Sequence, residues 1–222
     1  MPLLLMLQGL LALGFISLLS ACSVQPKVPL FSASGFITDG GVIRLWRLND
    51  QNSQPQVIMS VYSPYRNTDT SVTFYEYRYG NLWQIRRSVL DNYPIDETLR
   101  IDKDNKVIFM QRQAKEHSEP LSSDEIVRLR FDAKRMKEVS DALMAGNVHL
   151  IQGYWQDGKV TTCSEKQLSI QFEPEDRAWL KEREKNSAGI LTIAWLDAPE
   201  GKQLLLVAND DFCRWEPTKD KL

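Results

Sequence analysis

The links between this chain's apolar runs are very short. Residues 71–79 and 82–90 are separated only by Gly80 and Asn81, and residues 98–102 and 106–112 only by Lys103, Asp104 and Asn105. Links of this length join antiparallel neighbours, because a parallel pair needs a crossover of about a dozen residues or more. Runs at 41–48, after Asp39 and Gly40, and at 56–62, after the polar loop NDQNSQP, follow the same pattern. The first half of the chain therefore reads as an antiparallel meander of short strands. Gly80-Asn81, with glycine first, predicts a two-residue turn of type II′.

The period then changes. Ser122 and Glu125 form a capping-box pattern, and Ile126, Leu129, Ala133, Met136, Val139 and Leu143 follow at steps of three or four as far as Gly146. That spacing predicts a helix over 122–146, with Phe131-Asp132 as a candidate break. Strands are expected again at 150–156, 159–163, 168–172, 190–196 and 203–207. Pro174 sits where it would open a charged, exposed second helix over 174–186. The fold class is α+β: a mostly antiparallel meander packed with one main helix and one short helix.

Three cysteines divide the chain further. Residues 1–21 contain no charged side chain, and the run ends in Leu19-Ser20-Ala21-Cys22. This resembles the lipobox of bacterial lipoproteins, in which an aliphatic and two small residues precede the cysteine that becomes the lipidated N-terminus. Lys27 is the first basic side chain, so the run departs from the usual basic opening of a signal peptide. Ser23 occupies the position that would permit export to the outer membrane. The expected organisation is a removed signal peptide over 1–21, a lipidated tether over 22–34, and one α+β domain over 35–222. Acyl chains, palmitate among them, would hold the protein to the membrane facing the periplasm. Cys163 and Cys213 are then the remaining thiols of a domain in an oxidising compartment, and are expected to pair. A bridge over about 50 residues is worth ~4 kcal/mol in the chain-entropy account.

The inventory for chemistry is thin. His117 lies in a polar loop and His149 at the entrance to a strand, and both read as non-catalytic. The adjacent carboxylates Asp124-Glu125 and Asp210-Asp211 suit a helix N-terminus and a polar loop. There is no HExxH, GxSxG, P-loop or GxGxxG spacing, so no catalytic residue, metal or cofactor is expected. With 27 basic against 29 acidic side chains there is no basic field for nucleic acid.

The 71–90 hairpin carries the candidate interaction face. A turn at Gly80-Asn81 sets Tyr79 opposite Leu82, Tyr77 opposite Gln84 and Tyr75 opposite Arg86, a tyrosine and arginine surface of the kind favoured at interfaces. The opposite face then mixes Phe74, Glu76 and Arg78 with Trp83, Ile85 and Arg87. Neither face is cleanly apolar.

Residues 41–47 (GVIRLWR), the 122–146 helix and residues 150–155 (LIQGYW), together with the lipobox, resemble a family of uncharacterised gammaproteobacterial lipoproteins classed as a domain of unknown function. The resemblance implies an envelope location and assigns no chemistry. Two functions are expected to compete. The first is a non-enzymatic, outer-membrane-anchored module contacting an envelope protein or the cell wall. The second is a carrier or sensor of an apolar ligand, with the meander curled into a half-barrel under the helix.

Overall fold

The computed structural model describes residues 28–66, 69–90 and 93–222. Eight strands run in sequence order as one antiparallel sheet: β1 (Phe31–Thr38), β2 (Gly41–Asn49), β3 (Pro55–Pro64), β4 (Thr70–Arg78), β5 (Asn81–Leu90), β6 (Ile95–Ile101), β7 (Val107–Ala114) and β8 (His117–Glu119). A helix, α1 (Ser123–Ala145), leads into a second sheet. Its strands are β9 (His149–Gln156), β10 (Lys159–Thr162), β11 (Gln167–Leu168), β12 (Leu191–Ala198) and β13 (Gly201–Ala208), in the order β11-β10-β9-β12-β13. A second helix, α2 (Pro174–Lys185), lies between β11 and β12, and the 3₁₀ turn Phe212–Trp215 follows β13.

Alternation along the strands sets the layers. On β2, Leu45 packs with Ile58, Tyr75, Ile85 and Leu99 against Leu129, Ala133 and Met136 of α1. Its neighbours Val42 and Trp46 point the other way and pack with Met59, Val61 and Val72 against Leu150, Ala194, Leu196 and Leu205 of the second sheet. The far face of that sheet holds Trp155, Leu191, Ile193 and Trp195 against Phe172 and Leu180 of the α2 region. The order is therefore α1, large sheet, small sheet, α2. Residues 191–196 of β12 are buried without exception, as a central strand covered on both faces requires. Each large apolar side chain so buried contributes about 1.5–3 kcal/mol of transfer free energy.

Three boundaries differ from expectation. The 22–34 tether runs too far: β1 starts at Phe31, which pairs with Leu48, while the main-chain oxygens of Pro29 and Leu30 accept bonds from Asn49. Residues 1–21, Cys22 and Ser23 lie outside the described residues. Phe131-Asp132 does not break α1, because Phe131 points to solvent and Asp132 stays in register beside Arg128 and Arg87. The capping box is present, with the Ser122 hydroxyl accepting from the Glu125 amide and the Glu125 carboxylate accepting from the Ser122 amide. Of the region read as the strand 168–172 only Leu168 pairs, as the second residue of β11. Helix α2 is exposed as expected except at Leu180, which is fully buried.

Candidate functional site

Strand β2 carries two buried arginines on opposite faces. Arg47 faces α1 and has a carboxylate partner there: it pairs with Asp141, donates from Nε to Asn49 Oδ1 at 2.7 Å and from Nη1 to Ser140 Oγ at 3.2 Å. Arg44 faces the small sheet, and its bonded partners are neutral. Its Nη1 donates to Gln152 Oε1 at 2.7 Å, its Nη2 donates to Ser63 Oγ at 3.1 Å, and its Nε makes no hydrogen bond among the described residues. The guanidinium lies 4.8 Å from the centroid of the Phe212 ring. Burial pulls its pKa down to about 10, against the attraction of Asp210 and Glu216.

Gln152 connects this charge to a carboxylate. Its Oε1 accepts from Arg44 while its Nε2 donates to Glu216 Oε2 at 2.9 Å, so one amide separates the guanidinium from the acid. Burial raises Glu216 above the ordinary carboxylate range despite Gln152 and Arg44, which act the other way. The two segments that carry the family resemblance, 41–47 in β2 and 150–155 in β9, meet at the Arg44–Gln152 bond.

The C-terminal segment that supplies Phe212 and Glu216 is covalently pinned. Cys163 and Cys213 form a disulfide, as expected, with Sγ atoms 2.03 Å apart. The Cys163 amide donates to the Gln152 carbonyl, which sets the bridge directly beside the network. Asp211 caps the 3₁₀ turn by accepting from the Cys213 amide at 2.9 Å and also accepts from the Tyr154 hydroxyl. Beside this turn a cleft of about 660 Å³ opens between the two sheets. Leu90, Leu206, Ala208, Phe212 and Trp215 give it an apolar wall. Arg214 stands at its edge, paired with Asp210 and stacked on Trp215.

The tyrosine face is corrected. The β4–β5 turn is Tyr79-Gly80, both at positive φ (51° and 76°), which is type I′ geometry with Gly second. A bulge at Trp83 completes the shift, so Tyr75 opposes Ile85, Tyr77 opposes Leu82, and Phe74 opposes Arg86. Tyr75 and Tyr77 are 5% and 8% exposed, and they pack beneath α1. Burial pushes both phenols well above their ordinary pKa. Tyr79 stands alone at the turn, fully exposed. Arg86 lies on the opposite face, where its Nε donates to Glu76 at 2.7 Å and its guanidinium covers Phe74 at 4.8 Å. The polar lattice continues there through Gln84, which accepts from Arg100 Nε at 2.6 Å, and Arg100 covers Phe109 at 5.1 Å. Arg86, Asp96, Arg100 and Phe109 of this face are exposed.

His117 lies exposed in β8, and His149 Nε2 contacts Asn147 Oδ1 at the entrance to β9. Among the described residues no cluster of His, Cys, Asp and Glu could hold a metal ion.

A four-layer α+β protein with a buried arginine network between its sheets is the class that fold and site define. Residues 33–218 match the family described as "Protein of unknown function (DUF1481)", and the chain belongs to that family. It is 37% identical over 204 residues to the "Uncharacterized protein YjaH" of Escherichia coli (strain K12), covering 91% of this chain and 87% of that protein. No solved structure matches.

Proposed function

We propose that the protein is a non-enzymatic, outer-membrane-anchored periplasmic lipoprotein that serves as an interaction module of the envelope. The lipobox ending in Cys22 and the disulfide chemistry of the domain support the location. The observation that carries the interaction role is the face of β4–β7 turned away from α1, where Arg86 and Arg100 are held over Phe74 and Phe109 by Glu76 and Gln84. Side chains fixed in this way present charge and aromatic area with little entropy left to lose on binding. The space between meander and helix, which a half-barrel carrier would need open, is filled by Tyr75, Tyr77 and Leu99 against Leu129, Ala133 and Met136.

The test is site-specific photocrosslinking in intact cells, with a photoreactive residue at Arg86 or Gln111 and a control at Trp179 on α2. A discrete protein or peptidoglycan adduct from the sheet positions is expected. Crosslinking from them no stronger than from Trp179 would end this reading.

One observation favours the second reading, a carrier of an apolar ligand: the cleft of about 660 Å³ walled by Leu90, Leu206, Phe212 and Trp215. It is large enough for a small amphiphile. Organic extraction of protein purified from cells tests it. A stoichiometric lipid in the extract is the outcome that would support it, and an empty extract removes it.

A further inference from the structure

The strand register places several features at one end of the large sheet. Phe31 pairs with Leu48, Leu48 with Val57, Val57 with Glu76, Glu76 with Gln84, and Gln84 with Arg100. The chain therefore enters the sheet at the end that also carries the β2–β3, β4–β5 and β6–β7 turns. The cleft beside Phe212, lined by Ser63, Thr70 and Leu90, lies at the opposite end. At the entry end the β4–β5 turn projects Tyr79, fully exposed, and Arg78 covers the Trp83 ring at 3.5 Å. The adjacent β6–β7 turn and strand expose Ile108, Phe109 and Met110 consecutively, Ile108 at 63%. Phe109 is covered by Arg100, whereas Ile108 stands in the open beside the turn, and exposed apolar runs of this kind are found where they serve a function. Around them Arg78, Arg100, Lys103 and Lys106 outnumber Asp102 and Asp104, and Asp102 Oδ1 is occupied by the amides of Asp104 and Lys106. A depression of about 510 Å³ joins the two turns.

We propose that this end of the large sheet docks on an anionic phospholipid surface. Tyr79, Trp83 and Ile108 would sit at headgroup depth, with Arg78, Arg100 and Lys103 on the phosphates. An exposed tyrosine and a half-buried tryptophan beside basic side chains are the residue types that membrane interfaces select. Position on the chain supports a lipid occupant over a protein one. Val28 follows Cys22 by six positions, a reach of at most ~20 Å even fully extended. The docking inference rests on the reading of Cys22 as a lipid anchor. With that anchor in a bilayer, the end of the sheet where the chain enters is the end held close to it.

The experiment uses the full chain purified from bacterial membranes and placed in vesicles of phosphatidylethanolamine with or without phosphatidylglycerol. Benzoylphenylalanine replaces Tyr79, Ile108 or, as control, Trp179. Mass spectrometry is expected to find phospholipid adducts at positions 79 and 108 several-fold above those at 179, rising when phosphatidylglycerol is present. Arg78→Glu with Lys103→Glu should lower the adduct at position 79 several-fold while the far-ultraviolet circular dichroism is unchanged. Adducts at 79 and 108 no greater than at 179, or adducts to protein alone, overturn the docking. Palmitate labelling of Cys22, with Cys22→Ala as its control, separates the two ideas. An unlabelled Cys22 overturns the anchored reading, and a labelled Cys22 without lipid adducts at 79 and 108 overturns the docking alone.

Discussion

Arg44 brings a full charge into the seam between two sheets with only neutral groups bonded to it, and the nearest bonded acid is reached through Gln152. Its counterpart Arg47 contacts its carboxylate directly, and the two acids, Asp141 and Glu216, behave differently in consequence. For Asp141, burial pushes the carboxyl up, but bonds from Lys137 and Arg47 outweigh it and hold the group below its ordinary value. Its contribution to stability is present at neutral pH and is lost as pH falls through that lowered value. Glu216 has the opposite sign. Burial raises it, so between its ordinary and its raised pKa the folded protein holds a proton that the unfolded chain has released, and stability falls as pH rises through that window. Glu216→Gln keeps an acceptor for Gln152 Nε2 and removes the charge. Urea unfolding should find the variant more stable than the parent at about pH 7 and equal to it at about pH 3, where both chains carry a neutral side chain there. A difference independent of pH would mean that charge burial is not what Glu216 contributes. The residues that carried resemblance in the sequence, 41–47 and 150–155, contain Arg44 and Gln152. Their pairing was illegible, because nothing in a strand pattern says which strand of a second sheet will face it.

At the scale of elements, the disulfide between Cys163 and Cys213 is the tie that fixes the C-terminal turn over the seam. Phe212, Trp215 and Leu222 of that segment complete the core shared by the sheets, yet the segment makes only a short 3₁₀ turn of its own. Replacing both cysteines by serine removes a constraint spanning 50 residues, worth about 4 kcal/mol in the chain-entropy account. Hydrogen exchange should show residues 209–216 losing protection first, while β2 and β3 retain theirs. Equal loss throughout would show that the segment is not a separate opening unit. The pairing was legible from cysteine arithmetic, as were the meander and both helices from their periods and caps. The β4–β5 register was not, and the reason is specific. Gly80-Asn81 satisfies the glycine-first turn rule, but it leaves Tyr75 and Tyr77 beside Gln84 and Arg86. Moving the turn to Tyr79-Gly80, with a bulge at Trp83, sorts Tyr75, Tyr77, Leu82 and Ile85 onto the face under α1 and Glu76, Gln84 and Arg86 onto the other. A one-residue slip exchanges the faces of a strand. The mixed faces of the expected register were thus the sign that the turn lay elsewhere, and burying two tyrosines under α1 outweighs placing Tyr79 at positive φ. The first half of β1, Phe31 to Ser34 (FSAS), was read as tether because it is too short and polar to show a period.

The whole molecule stacks two sheets whose cores are continuous, and this has a thermodynamic consequence. Val42, Trp46, Met59 and Val61 of the large sheet and Leu150, Ala194, Leu196 and Leu205 of the small one form a single cluster. Neither sheet can lose this contact without exposing the inner face of the other. The outer faces are closed separately, by α1 over Tyr75 and Leu99 and by α2 over Trp155 and Trp195. A substitution in the shared layer should therefore destabilise both sheets, although the side chain belongs to one. Met59→Ala removes a side chain that is 6% exposed, at a cost of about 2–5 kcal/mol for truncating a buried methionine. Tryptophan fluorescence reports mainly the seam and the small sheet through Trp46, Trp155 and Trp195, whereas far-ultraviolet circular dichroism weighs α1 and the large sheet. With the disulfide intact, the two signals are expected to give coincident urea transitions in the parent protein and to move together by the same amount in Met59→Ala. If the circular dichroism midpoint shifts and the fluorescence midpoint does not, the small sheet holds its fold alone, and the seam around Arg44 is an interface between two independent units.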